Sequence, residues 1–196
     1  MTELHESARN PYKPQGEMRY TYADYYSWDD SDGSRWELIE GIPHAMSSPT
    51  ITHQRVLGAF YRLMTDFLAG KPCEAILSPY DVRLNAEGAD DIVVQPDLLV
   101  VCDRSKIDAQ CCIGAPDLII EILSPSTAGH DRVVKFRLYL QAGVREYWMV
   151  DPETKSVEIC ILQDGQYTLS AYDSNMTAAV RVLPGMEIRL EDVFKE

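Results

Sequence analysis

Apolar residues along this chain fall into two periods, and the changes between them divide it into elements. Val56, Phe60, Leu63 and Phe67, flanked by Leu57, Met64 and Leu68, form one broad stripe at helical spacing. They predict an amphipathic helix over 51–69, begun by SSPT and ended by Gly70 and Pro72. Ahead of it, Thr21 and Asp24 have the spacing of a capping box, which makes TYADYYSW a short helix, and DDSDGS is a turn. WELIE, Gly41 and IPHAM predict a hairpin of two short strands. CEAILSPYDVRL, residues 73–84, predicts one strand, followed by the polar loop NAEGADD. QPDLLVVCD and PDLIIEILSPST then carry short uninterrupted apolar runs, the pattern of strands covered on both faces. A helix is expected over 129–142, closed by Gly143, and REYWMVDP is a strand stopped at Asp151-Pro152. SVEICILQDGQYTLSAYD and VLPGMEIRLEDVF alternate like antiparallel strands, with a turn at Asp164-Gly165. Residues 1–17, with Pro11, Pro14 and Gly16 and no periodicity, predict a flexible leader to a single domain over 18–196.

Two of those buried strands carry an acid. Asp97 opens the first, before Leu98, Leu99, Val100 and Val101; Glu121 interrupts the second, between Ile120 and Ile122. A carboxylate in such a place is costly unless it is paired, protonated or bound to a cation. Two of them on neighbouring strands point to a divalent metal site. Hard cations such as Mg²⁺ or Mn²⁺ take carboxylate and carbonyl oxygens, so Asp97 and Glu121 are the expected metal ligands and the Ile122 carbonyl a third. Such an ion makes water nucleophilic and stabilises charge on a phosphodiester under attack. The plainer readings are a strand-opening turn for Asp97 and a structural ion pair with an arginine for Glu121.

Composition changes this picture in one respect. The chain has 196 residues, 45% apolar and 25% charged, which suits a globular domain, and no apolar run is long enough to span a bilayer. Its net charge of −13, however, repels phosphate, and that counts against nucleic-acid binding unless a metal or a local basic strip offsets it. The densest basic stretch is Arg132, Lys135, Arg137 and Arg145. The five cysteines, Cys73, Cys102, Cys111, Cys112 and Cys160, show no CxxC spacing and are expected to be reduced core residues, which suggests a cytoplasmic protein.

The order from residue 51 is helix, strand, strand, strand, helix, strand, with an acid on the second and third strands. That order is similar to the core of the restriction-endonuclease-like (PD-(D/E)xK) superfamily. WELIEG, the helix start at His53, QPDLLVV, PDLIIEILSPST, the spaced Asp131, Lys135 and Tyr139, AGVREYWMVDP and the late LPG together resemble the Uma-type endonuclease family, long catalogued as a domain of unknown function and abundant in cyanobacteria. The resemblance spans roughly residues 20–194. It implies an α/β fold with a mixed sheet, an N-terminal hairpin, extra C-terminal antiparallel strands, and hydrolysis of DNA. It also implies a lysine two residues after the second acid; Leu123 stands there, and Lys135 on the next helix is the expected replacement. In this fold an N-terminal acid can join the metal shell, which makes Glu37 a further candidate.

Alternatives remain for several of these residues. Asp131 and Lys135 could be an ordinary surface pair at i, i+4, Glu37 and Glu40 edge charges on the hairpin, and His53 a core histidine. His130 could cap a helix. Tyr20, Tyr22, Tyr25, Tyr26 and Trp28 either pack a helix on the core or form a base-stacking surface. For the whole chain, the alternatives to a Mg²⁺-dependent endonuclease are a catalytically degenerate module that binds nucleic acid or protein, and a structural homodimer. Homodimerisation also suits a nuclease, since two sites about a two-fold axis match a two-stranded duplex.

Overall fold

The computed structural model describes residues 10–11, 18–29, 33–125 and 128–195. The expected leader therefore lies outside the described residues, apart from Asn10–Pro11, whose backbone pairs in parallel with Trp28–Asp29. Helix α1, Tyr22–Tyr26, starts at Thr21, and the capping box with Asp24 closes as its spacing requires. Strands β1, Trp36–Ile39, and β2, Ile42–Ala45, form the hairpin. Its two-residue turn places both Glu40 (φ 51°) and Gly41 (φ 78°) in the left-handed region. Gly41 is further constrained from outside, since a Cβ there would lie 2.9 Å from that of Arg19. Helix α2, Ile51–Leu68, follows the N-cap Thr50.

Residues 73–84 do not make one strand. They make β3, Glu74–Leu77, and β4, Asp81–Arg83, which lie in different sheets. Pro79 between them has no N–H to offer a ladder, so the chain leaves one sheet there and enters the other. Short strand β5, Val93–Val94, precedes β6, Leu98–Val101, and β7, Cys111–Ile113, precedes β8, Leu118–Ile122. Helix α3 runs without a break through an α turn, Ala128–His130, a π-helical stretch, Asp131–Lys135, and a second α segment, Phe136–Ala142. Then come β9, Glu146–Asp151, β10, Ser156–Gln163, β11, Gln166–Asp173, β12, Thr177–Ala179, and β13, Glu187–Arg189.

The larger sheet has the order β11-β10-β9-β8-β6-β3. Only β8 and β9 are parallel in it, and α3 is the crossover that a parallel pair needs. The smaller sheet, β2-β1-β5-β4-β7, lies beside it. Thus α2, β3, β6, β8, α3 and β9 realise the expected helix-strand-strand-strand-helix-strand order, and the intervening β4, β5 and β7 join the hairpin β1–β2 in the second sheet. Side chains alternate faces along a strand. Leu98, Val100, Leu118, Ile120 and Trp148 pack with Val56, Phe60 and Met64 of α2. Leu99, Val101, Ile119, Leu123 and Tyr147 pack with Leu138 and Tyr139 of α3 and with Ile39, Val82 and Val94 of the smaller sheet. Asp97 and Glu121 share the parity of this second set, so both acids face the space between α3 and the smaller sheet. The C-terminal β12–β13 pair and Phe194 close the α2 side of the core.

One expectation from the cysteines is corrected. Cys73 and Cys102 are joined by a disulfide, because they flank the paired strands β3 and β6 directly opposite one another, with Cα atoms 3.9 Å apart. Cys111, Cys112 and Cys160 are free and buried, as read from their apolar surroundings. Among the described residues no helix is long and apolar enough to cross a membrane.

Candidate active site

The register of the larger sheet brings the two acids together. Ile120 of β8 pairs with Leu98 of β6, so Glu121 falls opposite Asp97. The Asp97 N–H donates to Glu121 Oε2 at 3.3 Å, and the Ile122 N–H donates to Asp97 Oδ2 at 2.8 Å. Lys135 reaches the same point from α3. Its Nζ lies 2.8 Å from Glu121 Oε1, 2.9 Å from Glu37 Oε1 and 3.7 Å from Asp131 Oδ1. Glu37 comes from β1 of the smaller sheet, where its Oε1 also accepts the Gln95 N–H at 2.9 Å. Tyr139, one turn beyond Lys135, donates its hydroxyl to Glu121 Oε1 at 2.7 Å. The structure thus gathers all four candidates, Asp97, Glu121, Lys135 and Glu37, from four separate elements.

Two plain readings fail here. Asp131 and Lys135 are not a surface pair but are each 4% exposed, and Glu37, also 4% exposed, is not an edge charge. The smaller sheet covers this face of α3, which the local i, i+4 spacing could not reveal. Glu40 does stay at the surface, where it pairs with Arg137 at 2.8 Å. The expected basic strip does not form. Lys135 points inward, while Arg132 pairs with Glu158 at 2.6 Å and Arg145 with Asp117 at 3.0 Å. In a chain with so many acids, each exposed guanidinium in this stretch finds a carboxylate on another element.

Histidine is the signal that sequence reading underused. Three of the chain's four histidines, His44, His53 and His130, line one cavity of about 310 Å³ together with Asp97, Glu121, Glu37 and Lys135. His53, placed in the first turn of α2 by the Thr50 cap, sets its Nε2 3.0 Å from Asp97 Oδ2. Its Nδ1 and the Nε2 of His130 are buried without a hydrogen-bond partner among the described residues. The sequence clue was available, since a histidine three residues after a helix cap and in line with the apolar stripe is aimed at the sheet.

The electrostatics are lopsided. Four carboxylates, Glu37, Asp97, Glu121 and Asp131, converge on one ammonium and one imidazole. Burial disfavours the charge on Lys135, but Glu121, Glu37 and Asp131 outweigh it and hold the ammonium well above its ordinary range. Burial pushes the Glu121 carboxyl up to about 8; Lys135 opposes this, and the nearby Asp97 and Asp131 add to it. Glu121 therefore contributes stability that is full below its ordinary value near 4.5 and lost as pH rises through about 8. In chelator, the melting temperature is expected to fall between pH 5 and pH 9, and Glu121→Gln is expected to flatten that fall. An equally steep profile in the variant would show that other groups set the slope.

The donors fit a hard divalent cation. The two expected ligands, Asp97 and Glu121, offer carboxylate oxygens, no thiol lines the cavity among the described residues, and an added positive charge would offset the excess of acid, while His44, His53 and His130 add imidazole nitrogens at its wall. Among the described residues no group of three or more His, Cys, Asp or Glu side chains is arranged to hold a metal ion. Mg²⁺ does not require one, as it keeps several waters and takes one or two carboxylates plus substrate phosphate.

Comparison with known proteins bears on this arrangement. The Uma2 family model, described as "Putative restriction endonuclease", matches residues 22–191. Two proteins of Synechocystis sp. (strain ATCC 27184 / PCC 6803 / Kazusa) are similar in sequence, both themselves uncharacterized. One, slr1290, is 27% identical over 175 residues, covering 88% of this chain and 90% of that protein. The other, sll1609, is 27% identical over 141 residues, covering 70% and 78%. A crystal structure from Anabaena variabilis ATCC 29413, described as a "putative nuclease belonging to DUF820", superposes with a TM-score of 0.73 at 19% identity, covering 89% of this chain and 97% of that one. At that identity the likeness is one of fold, and it agrees with the mixed α/β core described above.

Proposed function

We propose, from the premise that the chain belongs to the Uma2 family, that it is a Mg²⁺- or Mn²⁺-dependent endonuclease hydrolysing phosphodiester bonds of DNA. The observation that carries the reading is the buried excess of carboxylate over cation at one cavity, with Asp97 and Glu121 from adjacent strands at its centre. A purely structural cluster would be expected to balance its charges, because an uncompensated buried charge is expensive.

Asp97 and Glu121 would hold the cation, which on binding supplies an activated water and charge stabilisation at the phosphate. The chain's own groups do the rest. His53 orients Asp97 through the Nε2 contact. The Ile122 N–H fixes the same carboxylate from the sheet. Lys135, steadied by Glu37 and Asp131, holds a positive charge beside Glu121 without having to be in the strand position that Leu123 occupies. Leu123 itself is buried in the core and faces α3, so it offers nothing to a substrate. Tyr139 keeps its proton, since burial and then Glu121 raise its hydroxyl well above the ordinary range, and it serves as a fixed donor. Action as a homodimer and placement in the cytoplasm complete the reading. Access to DNA supports that placement, the Cys73–Cys102 bond having removed the argument from reduced cysteines.

A second reading, a binding module that does not cut, is favoured by the full engagement of Lys135 with carboxylates. Calorimetric titration of chelator-treated protein with Mg²⁺ and Mn²⁺, with and without a short oligonucleotide, separates the two. Saturable binding, with cleavage of supercoiled, linear or single-stranded DNA that stops in chelator, is expected. Salt-dependent oligonucleotide binding with neither metal uptake nor cleavage would establish the non-cutting module instead, and RNA substrates run in parallel test the choice of DNA.

A further inference from the structure

A second cavity, of about 510 Å³, lies next to the first, and the two share Arg35 and Gln95 in their walls. Its chemistry is unlike that of the catalytic cavity. Tyr25, Tyr26, Trp28 and Trp36 give it an aromatic wall. The Tyr25 and Trp28 rings lie 5.2 Å apart and brace one another, and Tyr20 meets Trp28 edge-on at 5.4 Å. This is where α1 and its flanks go. The packing read for them is realised in part: Tyr22 packs against the Arg83 guanidinium, 4.2 Å from its ring centroid, with its hydroxyl buried, whereas Tyr25 and Tyr26 line the cleft.

The polar floor is built in detail. Gln95 Nε2 donates to Asp81 Oδ1 at 2.9 Å and to the Tyr25 hydroxyl oxygen at 3.1 Å. The Tyr25 hydroxyl in turn reaches Asp81 Oδ1 at 3.1 Å. Arg35 donates from Nε and Nη2 to Gln95 Oε1 at 3.0 and 2.8 Å, which locks the amide orientation. Every contact on Asp81 falls on Oδ1, and Oδ2 accepts nothing among the described residues. Burial raises this carboxyl above its ordinary range, with Gln95 and Tyr25 opposing the shift. What the cavity offers is flat aromatic surface, a carboxylate oxygen of Asp81 without a hydrogen bond among the described residues, and a guanidinium in the wall it shares with the first cavity.

We propose that this second cavity is a nucleobase subsite, in which a base of the substrate strand stacks on the aromatic wall with an N–H donor turned to Asp81. The proposal rests on the nuclease reading for its biological sense and extends it from the phosphate to the base. Aromatic stacking accepts every base, since each has a π-face. The acceptor at the floor then discriminates. Adenine, cytosine and guanine present an exocyclic amino group, whereas thymine presents one ring N–H between two carbonyl oxygens that repel a carboxylate. Arg35 stands where the connecting phosphate would pass, and with two donors used on Gln95 its fork retains others for that phosphate. Extruding a base into such a cleft is the usual way a protein reads an edge that stacking hides.

The test uses uncharged nucleosides, which the net charge of −13 does not repel, and tryptophan fluorescence as the reporter. Trp28 and Trp36 line the cavity, while Trp148 is fully buried in the core. Saturable quenching by deoxyadenosine and deoxycytidine, and weaker quenching by thymidine, is expected. Asp81→Asn keeps an oxygen for Tyr25 and Gln95 but turns the free position into a donor, so it should level or invert that order. Trp28→Ala should weaken binding roughly tenfold, the scale of one lost base–aromatic stack. If that variant melts early, the exposed Tyr26→Ala replaces it. Quenching that never saturates, or an order of nucleosides that Asp81→Asn leaves unchanged, would overturn the subsite. Persistence of metal-dependent cleavage in that case would show that the nuclease reading survives alone. Saturable, ordered binding with no cleavage under any metal would uphold the subsite and remove the nuclease.

Discussion

Lys135→Met is expected to lower the melting temperature by roughly 6–20 °C. The side chain is nearly isosteric, so the packing around its stem survives, but the ammonium among Glu37, Glu121 and Asp131 is gone. Removing one partner of a buried ion pair costs about 3–5 kcal/mol, because the remaining charge keeps its desolvation penalty without compensation. For a chain of this length each kcal/mol shifts the midpoint by about 2–4 °C. Two companion measurements identify the cause. Adding Glu121→Gln to the variant should recover part of the loss, since one orphaned carboxylate is neutralised, and the non-additivity of the pair measures their coupling. Millimolar Mg²⁺ or Mn²⁺ should also recover part of it, by mass action on a folded state that binds the ion. A loss below about 1 kcal/mol, the range of exposed pairs, would mean that water reaches Lys135 and that the cluster is not desolvated.

Asp97→Asn and Glu121→Gln are each expected to reduce metal-dependent cleavage at least roughly a thousandfold while the protein stays folded. Bound metal contributes several kcal/mol of charge stabilisation at the phosphate, and each 1.36 kcal/mol is tenfold in rate. Both amides keep the size and one oxygen of the acid but lose the charge that holds the cation. Glu121→Gln is informative because its effects on stability and activity run in opposite directions at high pH. The carboxyl that burial pushes up to about 8 is a burden to the apo fold there, so the variant should melt no lower than the parent while losing its activity. Asp97→Asn forfeits the charge facing His53 and should lose some stability as well. Full activity in either variant would remove that residue from the proposed metal site, and full activity in both would end the metal-nuclease reading.

How far these residues could be found without the fold differs from one to the next. Asp97 and Glu121 stand out because an acid inside an apolar run breaks a local pattern, and local patterns are what a sequence displays. Lys135 was reachable only through the resemblance, which expected a lysine where Leu123 stands. Glu37 too was a candidate only through the resemblance and locally looked like any charge on a hairpin, because its burial is produced by α3 and its Lys135, 98 positions away in the chain and 2.9 Å away in space. Arg35, Gln95 and Asp81 gave no signal at all. Each is a common polar residue near a turn or strand, and only the meeting of β1, β4 and the segment before β6 makes them one network.

Apart from the short strands β5 and β7, the sequence by itself determined the order of the core elements, the face of α2 that is buried, the hairpin turns and the two acid-bearing strands. These follow from periodicity, capping and turn chemistry, all of which act over a few residues. The tertiary structure alone decided that residues 73–84 divide between two sheets, that Cys73 meets Cys102, that the basic stretch of α3 is turned inward or neutralised, and that two cavities share a wall. The reason is physical. Register and sheet–sheet packing are settled by the global burial of apolar area, and a single residue's shift in either would move every side chain of the strand to the opposite face.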